Sequence, residues 1–333
     1  MSYQPAIPQF LGTKLIPSID LSVLVRYIDW RFFFAAWDLA DNYEDIGSVC
    51  SCASCETAWL QNFDVSKREK AKEALSLFRD AQIVLREMAN KKQITAQSIV
   101  GFFPAVSKNE GIEISVSPLL WRGGKGTNAS DKTNWGEVSE VVFIPTLRQQ
   151  ELHEGDYLSL CDFIAPTNDF IGVFAVSIDG GEALAKECEQ TNDDYKSLLV
   201  KSLSDRLAAA AAEWLHEQIR KEYWGFAADE RLPISDMLKG KYASIRPAVG
   251  YPSLPDQSVI FQLDSLLDLS KIGISITENG AMFPNSSICG MVIAHPQARY
   301  FYIGKIGNDQ LEDYAKRKGI SIDEARRWLA KNT

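Results

Sequence analysis

Apolar residues recur at helical spacing after Ser66. The sequence Ser-Lys-Arg-Glu at 66–69 is a capping box, in which the Ser66 hydroxyl and the Glu69 carboxylate each satisfy a backbone N–H, so we expect a helix to begin there. The apolar residues that follow fall at three- and four-residue steps: Ala71, Ala74, Leu75, Phe78, Ala81, Leu85 and Met88. This stripe predicts a helix that faces the core.

Three further helices are predicted. A long one runs from about Asp193 to Trp224 and contains the uninterrupted alanine run 208–212, which is made of the best helix former. Gln310 to Lys318 forms another, ended by Gly319, and Asp323 to Ala330 forms the last, begun by a second capping box at Ser321.

Short β-rich runs lie between these helices: Ser98–Phe103, Ile112–Val116, Val141–Ile144, Phe170–Ile178, Ile272–Thr277, Ile288–Ile293 and Tyr300–Ile306. They do not alternate regularly with helices, and only short turns separate the last three. This arrangement favours antiparallel pairing and predicts an α+β fold rather than a doubly wound parallel sheet.

Composition and charge exclude several classes. The 333 residues are 46% hydrophobic and 24% charged, and 35 Lys+Arg against 44 Asp+Glu give a net charge of −9. Disorder and fibrous repeats are excluded, and an acidic chain without a long basic block is a poor nucleic-acid binder. No apolar run approaches the roughly 20 residues of a membrane helix, and no signal peptide is visible. Six unevenly spaced cysteines indicate a reducing cytoplasm.

Cys50, Cys52 and Cys55 form the sharpest local cluster. Three thiolates could bind zinc or an iron–sulfur cluster, but either normally needs a fourth ligand. A Cys-x-x-Cys pair could also cycle between dithiol and disulfide. Incidental or structural cysteines in a loop are the third interpretation, and we assign no metal site here.

Other candidate motifs are weak. Gly123-Gly124-Lys125-Gly126 lacks the spacing of a phosphate loop, and we interpret the stretch Arg122 to Gly136 as an exposed loop. Of the three histidines, His153 matches no cobalt-ligand motif, His216 lies on the long helix without a metalloprotease pattern, and His295 is interpreted as a turn residue.

The segment 246–256 favours a small zwitterionic ligand that also carries a positive charge. Three prolines stiffen it, Arg246 begins it, and a guanidinium binds a carboxylate through two parallel hydrogen bonds. Tyr251 adds an aromatic face, and Asp29 could offset a positive charge. A rigid loop with a structural ion pair explains the same residues.

The chain resembles the C-terminal reactivation domain of cobalamin-dependent methionine synthase from about Ser18 to Ala330. The motifs that carry the resemblance are spread along the chain in the order of the family. They are Tyr27-Ile28-Asp29-Trp30, Gly101-Phe102-Phe103-Pro104-Ala105, Leu147-Arg148-Gln149-Gln150, Asp162-Phe163-Ile164-Ala165-Pro166, Ile171-Gly172-Val173-Phe174-Ala175-Val176, Asp193-Asp194-Tyr195, Asp205-Arg206-Leu207, Glu213-Trp214-Leu215-His216-Glu217, Tyr223-Trp224-Gly225-Phe226, the Arg246 segment, Thr277-Glu278-Asn279-Gly280-Ala281-Met282, His295-Pro296, Tyr300-Phe301 and Asp309-Gln310-Leu311-Glu312-Asp313-Tyr314-Ala315.

The resemblance implies one curved α+β domain spanning 1–333, with a twisted antiparallel sheet flanked by helices, that binds S-adenosylmethionine. It implies a methyltransferase component of methionine biosynthesis that supports reductive methylation of cob(II)alamin to methylcobalamin. The implied partners are a cobalamin-binding methionine synthase subunit and a flavodoxin-type electron donor. Because reduction to cobalt(I) is uphill, the favourable methyl transfer draws it forward, while the protein positions the cofactors.

Residue by residue, the family's ligand positions fall at Asp29, Arg246, Tyr300 and Phe301, and Tyr251 is expected to line the groove. Arg246 would hold the methionine carboxylate. No catalytic residue is assigned. Two departures from the family pattern bear on the affinity for the ligand. Arg31 and Phe32 follow Asp29 and could reshape its turn, and Ala209 stands on the long helix where relatives have an acidic residue. Glu278 is a candidate to compensate for it.

The sequence contains no homocysteine, folate or cobalamin module, so we expect the chain to act in trans on a separate cobalamin-carrying subunit. An S-adenosylmethionine sensor that has lost reactivation is the competing hypothesis. A third gives the cysteine loop a redox role in passing the electron.

Overall fold

The computed structural model describes residues 4–39, 43–50, 52–90, 94–117, 140–152 and 155–333. The chain divides into two compact units. Unit 1 comprises Met1–Pro17, Gln97–Ser177 and Ala212–Thr333, and unit 2 comprises Ser18–Ala96 and Ile178–Ala211. The expectation of one domain over 1–333 stays a prediction.

The described residues contain strands and helices that alternate irregularly. The strands are β1 (Gly12–Ile19), β2 (Thr95–Lys108), β3 (Gly111–Val116), β4 (Glu140–Pro145), β5 (Asp169–Asp179), β6 (Ser275–Ile276), β7 (Met282–Phe283) and β8 (Ser287–Val292). The α-helices are α1 (Leu21–Leu24), α2 (Trp30–Ala36), α3 (Ala53–Gln61), α4 (Arg68–Asn90), α5 (Gly181–Gln190), α6 (Asp194–Gln218), α7 (Ile234–Met237), α8 (Val259–Leu267), α9 (Asn308–Lys318) and α10 (Ile322–Trp328). A π-helical turn, Ile219–Tyr223, continues α6, and short 3₁₀ turns lie at Val25–Tyr27, Glu44–Ser48, Val65–Lys67, Leu160–Phe163 and Leu269–Ile272.

A six-stranded sheet organises unit 1. Its order is β4-β3-β2-β5-β8, with β1 paired to β2, and the pairs β2–β3, β3–β4 and β5–β8 are antiparallel. The β2–β3 hairpin turns at Asn109 and Glu110, which both have positive φ, as the tight turns that match strand twist require. The predicted α+β class is therefore confirmed.

The core of unit 1 lies between the sheet and α8. Every residue of β5 from Asp169 to Ile178 is buried, and Val259, Ile260 and Leu263 of α8 are fully buried in the same hydrophobic cluster. The predicted C-terminal helices are confirmed as α9 and α10, with Gly319 at the end of α9 and the Ser321 hydroxyl accepting the Glu324 N–H at 3.2 Å.

Unit 2 is helical and rich in aromatic contacts. The predicted apolar stripe of α4 is buried throughout, and α4 packs against α1 and α3. Trp30 of α2 meets Phe78 of α4 edge to face, with ring centroids 4.7 Å apart. The predicted start of α4 is wrong in detail, because Ser66 lies inside a 3₁₀ turn that Asp64 precedes.

Three other predictions need correction. Tyr300–Ile306 forms no strand, and Ile272–Thr277 contributes only the two residues of β6, which pair with β7 in a separate small sheet. The last three runs therefore do not pair with one another, since β8 pairs with β5 from much earlier in the chain. Sequence reasoning also missed the strands β1 and β7 and the helices α1, α2, α3, α5, α7 and α8.

Candidate functional site

Arg246 lies on an extended segment that runs along β8, the last strand of the sheet. The Met291 N–H donates to the Pro247 carbonyl at 2.9 Å, and the Val249 N–H donates to the Cys289 carbonyl at 3.0 Å. Pro247 has no N–H to offer, so its carbonyl carries the pairing at that point. Backbone hydrogen bonds to β8 therefore hold the segment that was predicted to be stiff. They also fix the position of the Arg246 backbone, from which its side chain extends.

The Arg246 guanidinium pairs with Glu213 near the end of α6. Nη2 lies 2.5 Å from Oε2, and the two side chains are 18% and 7% exposed. Burial alone would lower the pKa of Arg246, but the Glu213 carboxylate together with Tyr300 and Tyr242 outweighs burial and holds the pKa above its ordinary value. Among the described residues, Arg246 Nε and Glu213 Oε1 have no hydrogen-bond partner although both are buried. The pair therefore keeps unused capacity to donate and to accept.

A second buried polar group lies beside this pair, and sequence reasoning missed it. His216 is fully buried, and its Nε2 lies 3.0 Å from the Ser244 hydroxyl. The His216 ring meets the Tyr242 ring edge to face, with centroids 4.7 Å apart. The Arg220 guanidinium carbon lies 4.3 Å from the centroid of the same tyrosine ring, and the guanidinium also binds Glu230. Burial, and next the charge of Arg220, hold the pKa of His216 well below its ordinary value. The imidazole is therefore neutral at pH 7.

Two exposed tyrosines lie on segments that are hydrogen-bonded near Arg246. The Tyr300 hydroxyl accepts the Arg246 backbone N–H at 2.9 Å, while its side chain is about half exposed. Tyr251 is 58% exposed, and the next residue, Pro252, accepts the Ile303 N–H at 3.0 Å. Hydrogen bonds thus tie the two segments that carry these tyrosines to each other and to the Arg246 backbone.

Phe301 differs from its neighbours because it points into the core. It packs against the sheet cluster and against the α9–α10 cluster, and its ring lies 6.3 Å from that of Phe163. Phe301 therefore supports the tyrosine beside it by packing.

Asp29 belongs to unit 2, where it caps α2. Its carboxylate accepts the Arg31 N–H at 3.1 Å and also binds the Arg31 guanidinium, at 3.0 Å from Nε and 2.7 Å from Nη2. Arg31, one of the two residues that depart from the family pattern, thus occupies the Asp29 carboxylate. Phe32, the other, is 61% exposed. Four of the five predicted ligand residues lie in unit 1: Arg246, Tyr251, Tyr300 and Phe301. The fifth, Asp29, lies in unit 2.

Glu213 is the acid that sequence reasoning left without a role. Ala209 holds the position where an acid was expected, and Glu213 follows one helical turn later on α6. Glu278, the suggested substitute, is exposed in the turn before β7. Four-residue spacing on the helix was the signal that could have identified Glu213.

The three clustered cysteines lie at the beginning of α3 in unit 2. All three are exposed, and Cys52 Sγ lies 2.9 Å from Cys50 Sγ. A hydrogen bond with Cys50, followed by one with Ser54, lowers the pKa of Cys52 to about 6. Hydrogen bonding to the Cys50 thiol, and next to the Cys52 thiol, raises the pKa of Cys55 to about 12.

The remaining sequence candidates add little. His295 is a turn residue as predicted, because its Nδ1 accepts the Gln297 N–H at 3.1 Å. His153, Gly123-Gly124-Lys125-Gly126 and the rest of the stretch Arg122 to Gly136 lie outside the described residues.

A polar cleft of about 330 Å³ lies in unit 1 between α9 and the segment that follows β4. Arg148 and Gln310 exchange two hydrogen bonds there, at 2.7 and 2.9 Å, and the Arg148 guanidinium binds Asp162 and Glu110. These mutual pairings join two of the distant motifs and make the cleft structural.

No helix within the described ranges is both long and apolar enough to cross a membrane.

Comparison with known proteins identifies the family. The model of the vitamin B12 dependent methionine synthase activation domain matches residues 20–319. The crystal structure of the MetH reactivation domain bound to AdoHcy, which is S-adenosylhomocysteine, superimposes with a TM-score of 0.82 at 36% identity, and the match covers 99% of this chain and 93% of that one. The resemblance inferred from the motifs is therefore confirmed, and the chain belongs to the family of vitamin B12-dependent methionine synthase activation domains.

Proposed function

We propose that the chain binds S-adenosylmethionine and supports the reductive methylation of cob(II)alamin carried by a separate methionine synthase subunit. The observation that carries the proposal is the Arg246–Glu213 pair, which retains unsatisfied hydrogen-bonding atoms beside exposed tyrosines. The related reactivation domain that was crystallised with AdoHcy supports the same ligand class.

Arg246 is the group that suits the carboxylate of the ligand's amino-acid part. Its side chain keeps 18% of its surface exposed while Glu213 holds Nη2, so the guanidinium is oriented and the side chain is partly accessible. A charge-assisted hydrogen bond of this kind contributes about 1.5–3 kcal/mol. Glu213 Oε1, which has no partner among the described residues, suits the ligand ammonium.

Tyr300 and Tyr251 supply aromatic surface. A ring face attracts a cation by about 0.5–2 kcal/mol, which suits a sulfonium, and it also stacks on a planar base. Phe301 holds the Tyr300 segment against the core. Asp29 is the further acid of the proposed set. When bound, S-adenosylmethionine supplies an electrophilic methyl group on a positively charged sulfur, and the residues of the chain bind and orient it.

Calorimetry with S-adenosylmethionine tests the binding step. We expect Arg246→Lys to weaken binding by about 10- to 150-fold, because it keeps a charge for Glu213 but loses the planar fork. Arg327→Ala on the exposed side of α10 is the matched control and should bind as the wild type does. Wild-type affinity in Arg246→Lys, with the control unchanged, would remove Arg246 from the binding site.

We also propose a flavodoxin-type electron donor as the second partner. Its test is direct: a reduced flavodoxin should support cobalamin reduction in the presence of the chain, the synthase and S-adenosylmethionine. Failure of the donor while a chemical reductant succeeds would overturn the choice of partner and leave the binding proposal intact.

A further inference from the structure

Three thiols converge on one point of the unit 2 surface. The Sγ atoms of Cys50, Cys52 and Cys55 all lie within 4.8 Å of one another, and each residue is exposed. The family function described above uses none of them, and the remaining three cysteines of the chain, Cys161, Cys188 and Cys289, are buried elsewhere.

The local fold holds this convergence in place. Cys52 is the residue that caps α3, with an extended backbone, and its Sγ accepts the Cys55 N–H at 3.4 Å. The Ser54 hydroxyl lies 3.2 Å from the same sulfur. Because the helix N-terminus carries a partial positive charge, it favours a thiolate at the capping residue Cys52.

Packing behind the thiols anchors α3. Trp59 is buried and meets Phe63 with ring centroids 4.7 Å apart. Glu56, the carboxylate next to Cys55, is paired with Arg79 of α4. The helix therefore has a fixed place, and the nearest acid is already engaged.

The separation of the sulfurs selects among thiol chemistries. A single zinc ion with bonds of about 2.3 Å in tetrahedral geometry places its sulfur ligands about 3.8 Å apart. The observed separations, from 2.9 Å to at most 4.8 Å, bracket that value. In a [4Fe–4S] cluster each cysteine binds a different iron, which requires a wider spread, and a [2Fe–2S] cluster needs four cysteine ligands, two on each iron. A disulfide would use two thiols and leave the third without a role.

We propose that Cys50, Cys52 and Cys55 form a mononuclear zinc site with three thiolate ligands and a fourth position open to solvent. Within the described part of the chain, the group of adjacent metal-ligand side chains consists of these three cysteines. Water therefore completes the tetrahedron. The Ser54 hydroxyl hydrogen-bonds to the Cys52 thiolate without binding the metal itself. Soft thiolate ligands and tetrahedral geometry together suit Zn²⁺.

Titration of the full chain with Zn²⁺ tests the site. The chain is reduced, stripped of metal under anaerobic conditions, and titrated in competition with a chromophoric chelator. We expect one tightly bound Zn²⁺ per chain. Cobalt(II) in its place should give strong sulfur-to-metal charge-transfer absorption and the intense visible bands of a tetrahedral ion.

Variants assign the ligands. Cys50→Ala and Cys55→Ala should each weaken Zn²⁺ binding by at least about a hundredfold, since the loss of a ligand exceeds the 10- to 100-fold effect of losing an outer partner. Cys52→Ser keeps an oxygen to cap α3 and should weaken binding similarly. Cys188→Ala, a buried cysteine of α5 in the same unit, is the matched control and should bind as the wild type does. Circular dichroism confirms that each variant is folded.

Several outcomes would overturn the proposal. They are the absence of stoichiometric Zn²⁺ binding, full binding by the folded Cys55→Ala variant, and weak octahedral cobalt bands. Retention of copper(I) with no affinity for Zn²⁺, or a disulfide between two of the three thiols that persists when Zn²⁺ is supplied, would also overturn it.

Discussion

Replacing Arg246 with methionine should destabilise the protein by leaving the buried Glu213 carboxylate without its partner. The Glu213 side chain is 7% exposed, and the nearest cation is the guanidinium at 2.5 Å. Removal of one partner from a buried pair costs about 3–5 kcal/mol. Because the Arg246 side chain is 18% exposed and water can enter where it stood, we expect a loss of about 3 kcal/mol.

The double variant Arg246→Met/Glu213→Leu separates this cost from the loss of packing. It removes both charges and keeps similar volume, so we expect it to lie within about 1 kcal/mol of the wild type. Glu213→Leu alone should cost as much as Arg246→Met, because it leaves the guanidinium uncompensated.

Urea unfolding at pH 7.5, followed by far-UV circular dichroism, measures these differences. Arg327→Met on the exposed surface of α10 is the control and should stay within about 0.5 kcal/mol of the wild type. If Arg246→Met costs less than 1 kcal/mol, or if the double variant costs the sum of the two singles, the two side chains do not form a buried pair and the account of the site is refuted.

Three other perturbations test neighbouring parts of the account. His216 is neutral in the folded state and takes up a proton in the unfolded state below about pH 6.5, so the free energy of unfolding should fall by about 1.4 kcal/mol between pH 7.5 and 5.5. His216→Asn should remove that part of the loss, as measured by urea unfolding at both pH values. Arg31→Ala frees the Asp29 carboxylate and should tighten S-adenosylmethionine binding by up to about fivefold in calorimetry, whereas unchanged affinity would take Asp29 out of the site. Gly290→Ala places a methyl group 2.8 Å from Ala248 Cα, so it should cost about 1–3 kcal/mol in urea unfolding and weaken ligand binding, and wild-type values for both would refute the close approach.

Local sequence signals predicted the long amphipathic elements. The stripe of α4, the alanine run of α6 and the caps at Gly319 and Ser321 are all decided within a few turns of chain, and the structure agrees with them. Helical periodicity and capping chemistry are local, so they can be read without knowing the fold.

Tertiary contacts decided the rest. The run Tyr300–Ile306 has strand composition, yet its groups are used elsewhere: Ile303 bonds to Pro252 and Ile306 bonds to Asn332. Residues typical of strands indicate side chains that pack well against a sheet. Whether such a segment pairs with another strand, and with which one, depends on the whole fold.

The site divides in the same way. Residue chemistry and the family motifs both indicated Arg246 and Tyr251, whereas Tyr300 and Phe301 came from the motifs alone. The stiffness of the Arg246 segment was predicted from its prolines. Glu213 was part of a motif but had no role until the structure placed it against the guanidinium. Its four-residue spacing from Ala209 could have made Glu213 a candidate, but the sequence has no signal for its pairing with Arg246, 33 positions away.

Formation of methylcobalamin in trans tests the central claim most directly. The chain is mixed with a cob(II)alamin-loaded methionine synthase that lacks its own activation domain, an electron donor and S-adenosylmethionine, and the cobalamin spectrum is followed. The account predicts conversion to methylcobalamin that depends on the chain and falls with Arg246→Lys. A spectrum that stays at cob(II)alamin, while calorimetry shows that the chain binds S-adenosylmethionine, would contradict it and identify a sensor that binds the ligand without reactivation.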